Sequence, residues 1–281
     1  MSRLGKSKKN KKKGKTRMVA VNNTAFEKVY KKSSKKKDTK INNFLSKILV
    51  ILFILIVAII LIFVSGAFDI SEIIVDGNNS ISKEQIISFS EIEINTNIFS
   101  VSKKDVYNKI KENAYIDDVQ IKKVFPNKIK LIVKERKKAY RIPIASGFIY
   151  IDNQGYVLEI ANLSADIPIL MGLSTDLTNV KPNSRLNNED LKKMNMAIKI
   201  MDVANSNNFE KLITKIDISD SNNYTIYLDT VSKIAYLGDG YDLNTKMLYV
   251  KAIVKANEGK SGEIILNLDL NSENPYFRET V

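Results

Sequence analysis

The sequence predicts an α+β protein: a single transmembrane helix, then a β-α-α-β-β domain, then a second domain of mixed α/β-sheet character. Three observations carry this reading. Ile48–Val64 is a run of 17 apolar residues without a break. The segment after it places two helix-start patterns between strand patterns. The last part returns to short strands, with two helical stretches among them.

The first element is a basic arm. The chain has 281 residues, 44 Lys and Arg, 31 Asp and Glu, and a formal charge of +13. Residues 1–47 hold 17 of the basic residues and only two acids, Glu27 and Asp38, a local +15 that leaves the rest at −2. Residues 1–43 read as a disordered cytoplasmic tail. Lys6–Arg17 and Lys31–Lys40 carry too little apolar surface to fold. The charge serves as a topology signal and draws the tail to anionic membrane lipid. No specific nucleic-acid binding is expected, because only Phe26 and Tyr30 interleave with the lysines and give no stacking platform.

The second element is the anchor, residues 44–64. Its length corresponds to roughly 32 Å at about 1.5 Å per residue, close to a hydrocarbon core of about 30 Å. Lys47 near its start can snorkel to the headgroups. Ser65-Gly66-Ala67 offers small residues at a possible cleavage point, but the basic region and the apolar run are both too long for an ordinary signal peptide. The lysines before the span put the N-terminus in the cytoplasm and the C-terminal domains outside it.

The third element, residues 68–137, is the small domain. Phe68–Val75 is strand-like and stops at the turn cluster Asp76-Gly77-Asn78-Asn79. Ser82-Lys83-Glu84-Gln85 is a capping box that opens a short helix. Ser102-Lys103-Lys104-Asp105 starts a second, with Val106 and Ile110 on one face. Ile116–Val124 is a strand. After Phe125-Pro126-Asn127, Lys128–Lys134 alternates with Ile129, Leu131 and Val133 inward. The small sheet leaves an open edge on which another chain can add a strand.

The fourth element, residues 138–281, begins with a hairpin of Phe148–Ile151 and Tyr156–Ile160 across Asp152-Asn153-Gln154-Gly155. Ile167-Pro168-Ile169-Leu170 follows. A helix capped by Asn187 or Asn188 runs to about Ala204, with Leu191, Met194, Ile198 and Met201 as its apolar stripe. Leu212–Ile218, Tyr224–Leu228 and Ile234–Leu237 read as strands, and Leu243–Ala256 as a helix. Glu263–Leu270 alternates, with Ile264, Leu266, Leu268 and Leu270 on one face.

Catalytic chemistry finds little to use. With no Cys, His or Trp, there is no Ser-His-Asp triad, thiol nucleophile, ordinary zinc site or disulfide. Gly14-Lys15-Thr16 lacks the glycine a phosphate loop needs, Lys9 standing in its place. Ser100–Lys103 satisfies S-x-x-K, but the S-D-N and K-T-G companions are missing. Asp117 and Asp118 are neighbours on a strand and point to opposite faces. No catalytic, cofactor-binding or metal-binding residue is expected.

The residues resemble a known family. Phe68–Asn78, Asn97–Ser100, Ala114-Tyr115-Ile116, Ile121–Ile129 and the run Ile132-Val133-Lys134-Glu135-Arg136 resemble the FtsQ-type POTRA domain of the bacterial division proteins FtsQ/DivIB. Ile149–Gly155, Ile167–Gly172, Tyr236-Leu237-Gly238 with Lys246-Met247-Leu248, and Gly262–Leu270 resemble that family's β domain. A longer C-terminal tail, carried by some members, is not expected. The resemblance implies a non-enzymatic scaffold in the cell membrane, enriched at the septum. It would hold FtsB/DivIC-like and FtsL-like coiled-coil proteins and help position the septal peptidoglycan synthase. Strand addition to an open sheet edge is the expected mechanism. The expected partner-binding residues are Ile264, Leu266, Leu268 and Leu270 on the late strand, with Tyr276 and Phe277 beside it. Alternation alone is equally compatible with a central, fully packed strand. A membrane-anchored cell-wall enzyme or ligand-binding protein is the alternative, and a lipid or nucleic-acid tether acting through the arm is a third.

Overall fold

The computed structural model describes residues 24–280, with side chains from Asn43 onward. The expectation for residues 1–23 lies outside the described residues. Helix α1 spans Thr24–Val64. Its segment Asn43–Val64 has a mean hydropathy of 3.5 and is long and apolar enough to cross a membrane. The helix starts well upstream of the expected anchor, so Lys31–Lys40 is helical where an unfolded tail was expected. The physical reason is propagation: once an apolar stretch nucleates a helix, each added residue gains a bond, and lysine is a good helix former.

Residues from Gly66 onward form a separate compact unit with two cores. Its first part contains β1 (Glu72–Asp76), α2 (Lys83–Ser90), α3 (Lys103–Lys111), β2 (Ile116–Val124) and β3 (Lys128–Glu135), the predicted β-α-α-β-β order. The strands lie in the order β1-β3-β2, with β1 parallel and β2 antiparallel to the central β3. Both helix starts work as read. Ser82 and Gln85 form a reciprocal capping box, and the Ser102 hydroxyl accepts from the Asp105 N–H. Ile129, Leu131 and Val133 are buried beside Ile86, Val106 and Ile110.

The second part is a single nine-stranded sheet. It adds β4 (Tyr140–Ile144), β5 (Gly147–Ile151), β6 (Val157–Ala161), β7 (Ile169–Met171), α4 (Asn188–Ser206), β8 (Lys215–Asp217), β9 (Tyr224–Leu228), β10 (Lys233–Gly238), α5 (Leu243–Ala256), β11 (Gly262–Ile265) and β12 (Tyr276–Glu279). The strand order is β12-β11-β10-β9-β8-β7-β4-β5-β6. The parallel step from β10 to β11 crosses over through α5, as parallel neighbours require. Strand β4 was not anticipated, because Pro143 interrupts its pattern; Pro143 nevertheless faces Phe148 in the antiparallel ladder.

The α4 stripe is shifted from the predicted one. The buried residues are Asp190, Met194, Ala197, Ile200 and Ala204, while Leu191, Ile198 and Met201 are only partly buried at the flanks. Two alanines, Ala197 and Ala204, are part of the buried stripe. Asp190 is buried without a charged partner; it accepts from the backbone and hydroxyls of Ser174 and Thr175 and so fixes the loop after β7.

The two sheets are joined through Glu135 and Arg136. Glu135 accepts from the backbone N–H groups of Asn79, Ser80 and Ile81 at 2.7–3.1 Å. Arg136, buried at 7% exposure, donates to Asp152 at 2.7 Å, lies 3.5 Å from Asp117 and stacks on the Tyr156 ring. Tyr115 donates to Glu159 across the same junction at 2.5 Å.

Candidate functional site

A sheet of this kind offers two edges, and the chain treats them differently. At β6 the edge is covered from within at its first residue, Val157. The Val157 N–H donates to Ser184 at 2.8 Å, and the Asn183 N–H donates to the Val157 carbonyl at 2.8 Å. At the other end, β12 lies outermost, paired only with β11 in the strand order.

The structure corrects the expected site. β11 is paired on both sides, parallel with β10 and antiparallel with β12, so it is not an edge. Ile264 and Leu266 are completely buried and belong to the core. The strand ends at Ile265, and Leu268 and Leu270 fall in the half-buried turn that follows. Their alternation comes from packing against α4 and α5 for the first two and from turn geometry for the others. Tyr276 and Phe277 do lie on the edge strand. Tyr276 is 49% exposed, while Phe277 turns inward against the core.

Backbone direction follows from the bonds on either side. Gly262 and Leu266 donate toward β10, to Ser232 and Tyr236, and Thr280 donates to Ser261. Glu263 and Ile265 therefore exchange their bonds with Arg278 and Tyr276, their register partners. By the same alternation Phe277 and Glu279 turn their N–H and C=O groups outward. An extended peptide laid along β12 would find these groups in ladder geometry.

Charged groups hold this strand in place. Glu263 accepts from the Tyr236 hydroxyl at 3.0 Å and from Arg278 Nε at 2.7 Å. The Arg278 bond and the Tyr236 hydroxyl hold the Glu263 carboxyl below its ordinary range, against a smaller opposing effect of burial. Lys260 pairs with Glu279 at 2.9 Å. Lys233 is buried beneath, donating to the Lys260 carbonyl at 2.7 Å, with its ammonium 5.6 Å from the Phe277 ring. Burial lowers the Lys233 pKa. Gly262 permits the close approach of β12: a Cβ there would lie 2.3 Å from the Arg278 carbonyl oxygen and 2.7 Å from the Phe277 ring. Sequence reading missed Gly262, Glu263, Arg278 and Glu279. The glycine opening a strand pattern was the one signal that marked a close backbone contact.

Beside the turn after β11 lies a cleft of about 290 Å³ lined by Asp239, Asp242, Lys246 and Asp269 among others. Its groups are already engaged in structure. Asp239 accepts from the Tyr241 N–H, Asp269 from the Asn271 N–H, and Lys246 donates to the Leu237 carbonyl.

Comparison with known proteins agrees with this architecture. Residues 68–136 match the family model described as POTRA domain, FtsQ-type. The chain is similar to the cell division protein DivIB of Clostridium tetani, 34% identical over 183 residues, covering 64% of this chain and 67% of that protein. It is similar to DivIB of Clostridium botulinum, 28% identical over 223 residues and covering 77% and 85% of the two chains. It is also similar to the cell division protein FtsQ of Syntrophotalea carbinolica, 23% identical over 173 residues, with 59% and 58% covered. An apolar N-terminal helix able to cross a membrane once, a POTRA domain and a mixed sheet domain thus occur together in a chain that belongs to the DivIB/FtsQ family of cell-division proteins.

Proposed function

We propose that this chain is a non-enzymatic, single-pass scaffold of the division machinery that binds partner chains by strand addition at β12. The observation that carries the reading is the outermost strand's backbone: β12 turns the N–H and C=O groups of Phe277 and Glu279 outward, whereas β6 is met at Val157 by residues 183–184. Backbone bonds to the added strand supply affinity, and alternate side chains supply specificity. Coiled-coil division proteins of the FtsB/DivIC and FtsL kinds are the proposed partners, and through them the septal peptidoglycan synthase. The N-terminus lies in the cytoplasm, the folded part outside the membrane, and the protein concentrates at the septum. The domains are 68–137 and 138–281. Buried and half-buried carboxylates serve structure in this reading: Glu135 and Asp190 hold loops, and Asp117 and Asp152 hold Arg136.

The test is site-specific photocrosslinking in dividing cells from Tyr276 and Arg278, with Ile160 on the opposite edge strand β6 as reference. Division proteins should be captured from the first two positions and not from Ile160. Glu279→Pro removes an outward N–H while leaving the bonds to β11 in place, and should abolish capture with the fold retained. Capture from Ile160 alone, or turnover of a wall precursor by the purified protein, would overturn the proposal.

A further inference from the structure

The β2–β3 hairpin ends in an aromatic tip. Val124 is 41% exposed and Phe125 58% exposed. The Phe125 ring stacks on Phe99 at 5.3 Å, and Phe99 meets Phe68 edge-on at 5.1 Å. The tip is also bound to the start of the unit through the backbone, the Ser71 N–H donating to the Asn127 carbonyl at 2.9 Å. Lys122, Lys123 and Lys128 flank it, Lys128 also pairing with Glu72 at 2.6 Å.

Chain connectivity says what this surface meets. Val64 closes the apolar segment, and only Ser65, Gly66 and Ala67 separate it from Phe68. Four Cα steps reach at most about 14 Å. Phe68 is itself a member of the ring cluster, so the chain ties the cluster to the end of the anchor at that residue, with Phe99 and Phe125 following at ring-to-ring steps of 5.1 and 5.3 Å. Aromatic rings with lysines around them are the composition favoured at the membrane–water interface, where rings sit at headgroup depth and ammonium groups reach back to water and phosphate.

We propose that the tip Val124-Phe125 seats in the interfacial layer of the bilayer beside the anchor, giving the folded unit a second membrane contact. The proposal rests on the reading of Asn43–Val64 as a membrane span. The experiment separates the two. Because the chain has no cysteine, a single fluorophore can be placed at V124C, at V57C within the span, or at N222C in the β8–β9 turn. The full chain is reconstituted in vesicles of phosphatidylglycerol and phosphatidylethanolamine carrying a nitroxide lipid quencher, placed at headgroup depth to read V124C and N222C and in the acyl chain to read V57C.

The expected result is quenching at V124C at least twofold above that at N222C, with V57C quenched as well. Phe125→Asp in the V124C background should return quenching to the N222C level with unchanged thermal unfolding. Phe125→Ser serves as a second variant should the aspartate disturb folding. Quenching at V57C but not at V124C overturns the docking alone. No quenching at V57C overturns the span reading, and the docking with it. A V124C label shielded from aqueous iodide yet not reached by the lipid quencher means that a protein surface, such as a second copy, covers the tip, and this also overturns the proposal.

Discussion

Arg278 on β12 and Glu263 on β11 stand directly opposite each other and form a two-pronged ion pair, Nε to Oε2 at 2.7 Å with the Nη2 prong on the same oxygen. Arg278 is exposed and Glu263 half-buried, so water still screens the pair and it adds little to global stability. Its effect is geometric: it fixes the outermost strand in register and leaves the outward backbone groups of Phe277 and Glu279 presented.

Gly262→Ala tests how closely β12 must sit. The new methyl group would meet the Arg278 carbonyl oxygen at 2.3 Å and the Phe277 ring at 2.7 Å. Overpacking of this kind costs about 1–3 kcal/mol. Denaturant unfolding should show that loss, and hydrogen exchange should show faster exchange confined to β11 and β12.

Ile264 and Tyr276 should separate stability from binding. Ile264 is fully buried, and Ile264→Ala should destabilise by about 2–5 kcal/mol. Tyr276→Ala, on the exposed face of the edge, should stay within about 0.5 kcal/mol of the parent while reducing crosslinked partner. Equal destabilisation by both would contradict the assignment of β12 as the edge.

Arg136→Met should break the junction. It leaves Asp152 and Asp117 facing a neutral side chain at a site where the side chains of Arg136 and Asp152 are 3% and 6% exposed. Removing one partner of a buried pair costs about 3–5 kcal/mol. Calorimetry should show the single transition of the folded unit replaced by two, as the two sheets uncouple.

Acid should weaken the fold through the carboxylates that hold loops. Burial opposes ionisation of Glu135 and Asp190, but the N–H and hydroxyl donors around each outweigh it and hold both below the ordinary range. A carboxyl with a lower pKa folded than unfolded contributes stability at neutral pH that is lost as pH falls through the folded value. Stability should therefore decline from about pH 4.5 downward, starting from the ordinary Glu value of 4.5. Glu135→Gln together with Asp190→Asn should flatten that decline in unfolding curves recorded across pH.

Much of this architecture was legible because it is written in local signals. The Ser82 capping box, the alternation of Ile129, Leu131 and Val133, and the bounds of α5 all depend on neighbours in sequence. The strand β4 was not legible, since Pro143 masks an extended segment that tertiary pairing nonetheless accepts. The α4 stripe was misplaced because Ala197 and Ala204 carry weak hydrophobic signal yet are fully buried. The site was displaced by one strand. Alternation reports which face a residue occupies and says nothing about which strands flank it, so Ile264 and Leu266 read the same whether β11 is central or outermost.

Glu135 closes β3 and Arg136 is the first residue beyond it, yet the two side chains reach different parts of the fold. One dipeptide thus grips the loop after β1 with one hand and the hairpin of the larger sheet with the other. The two contacts sit on consecutive residues, so loss of either one alters how the small sheet meets the large one while leaving the strand ladders of both unbroken.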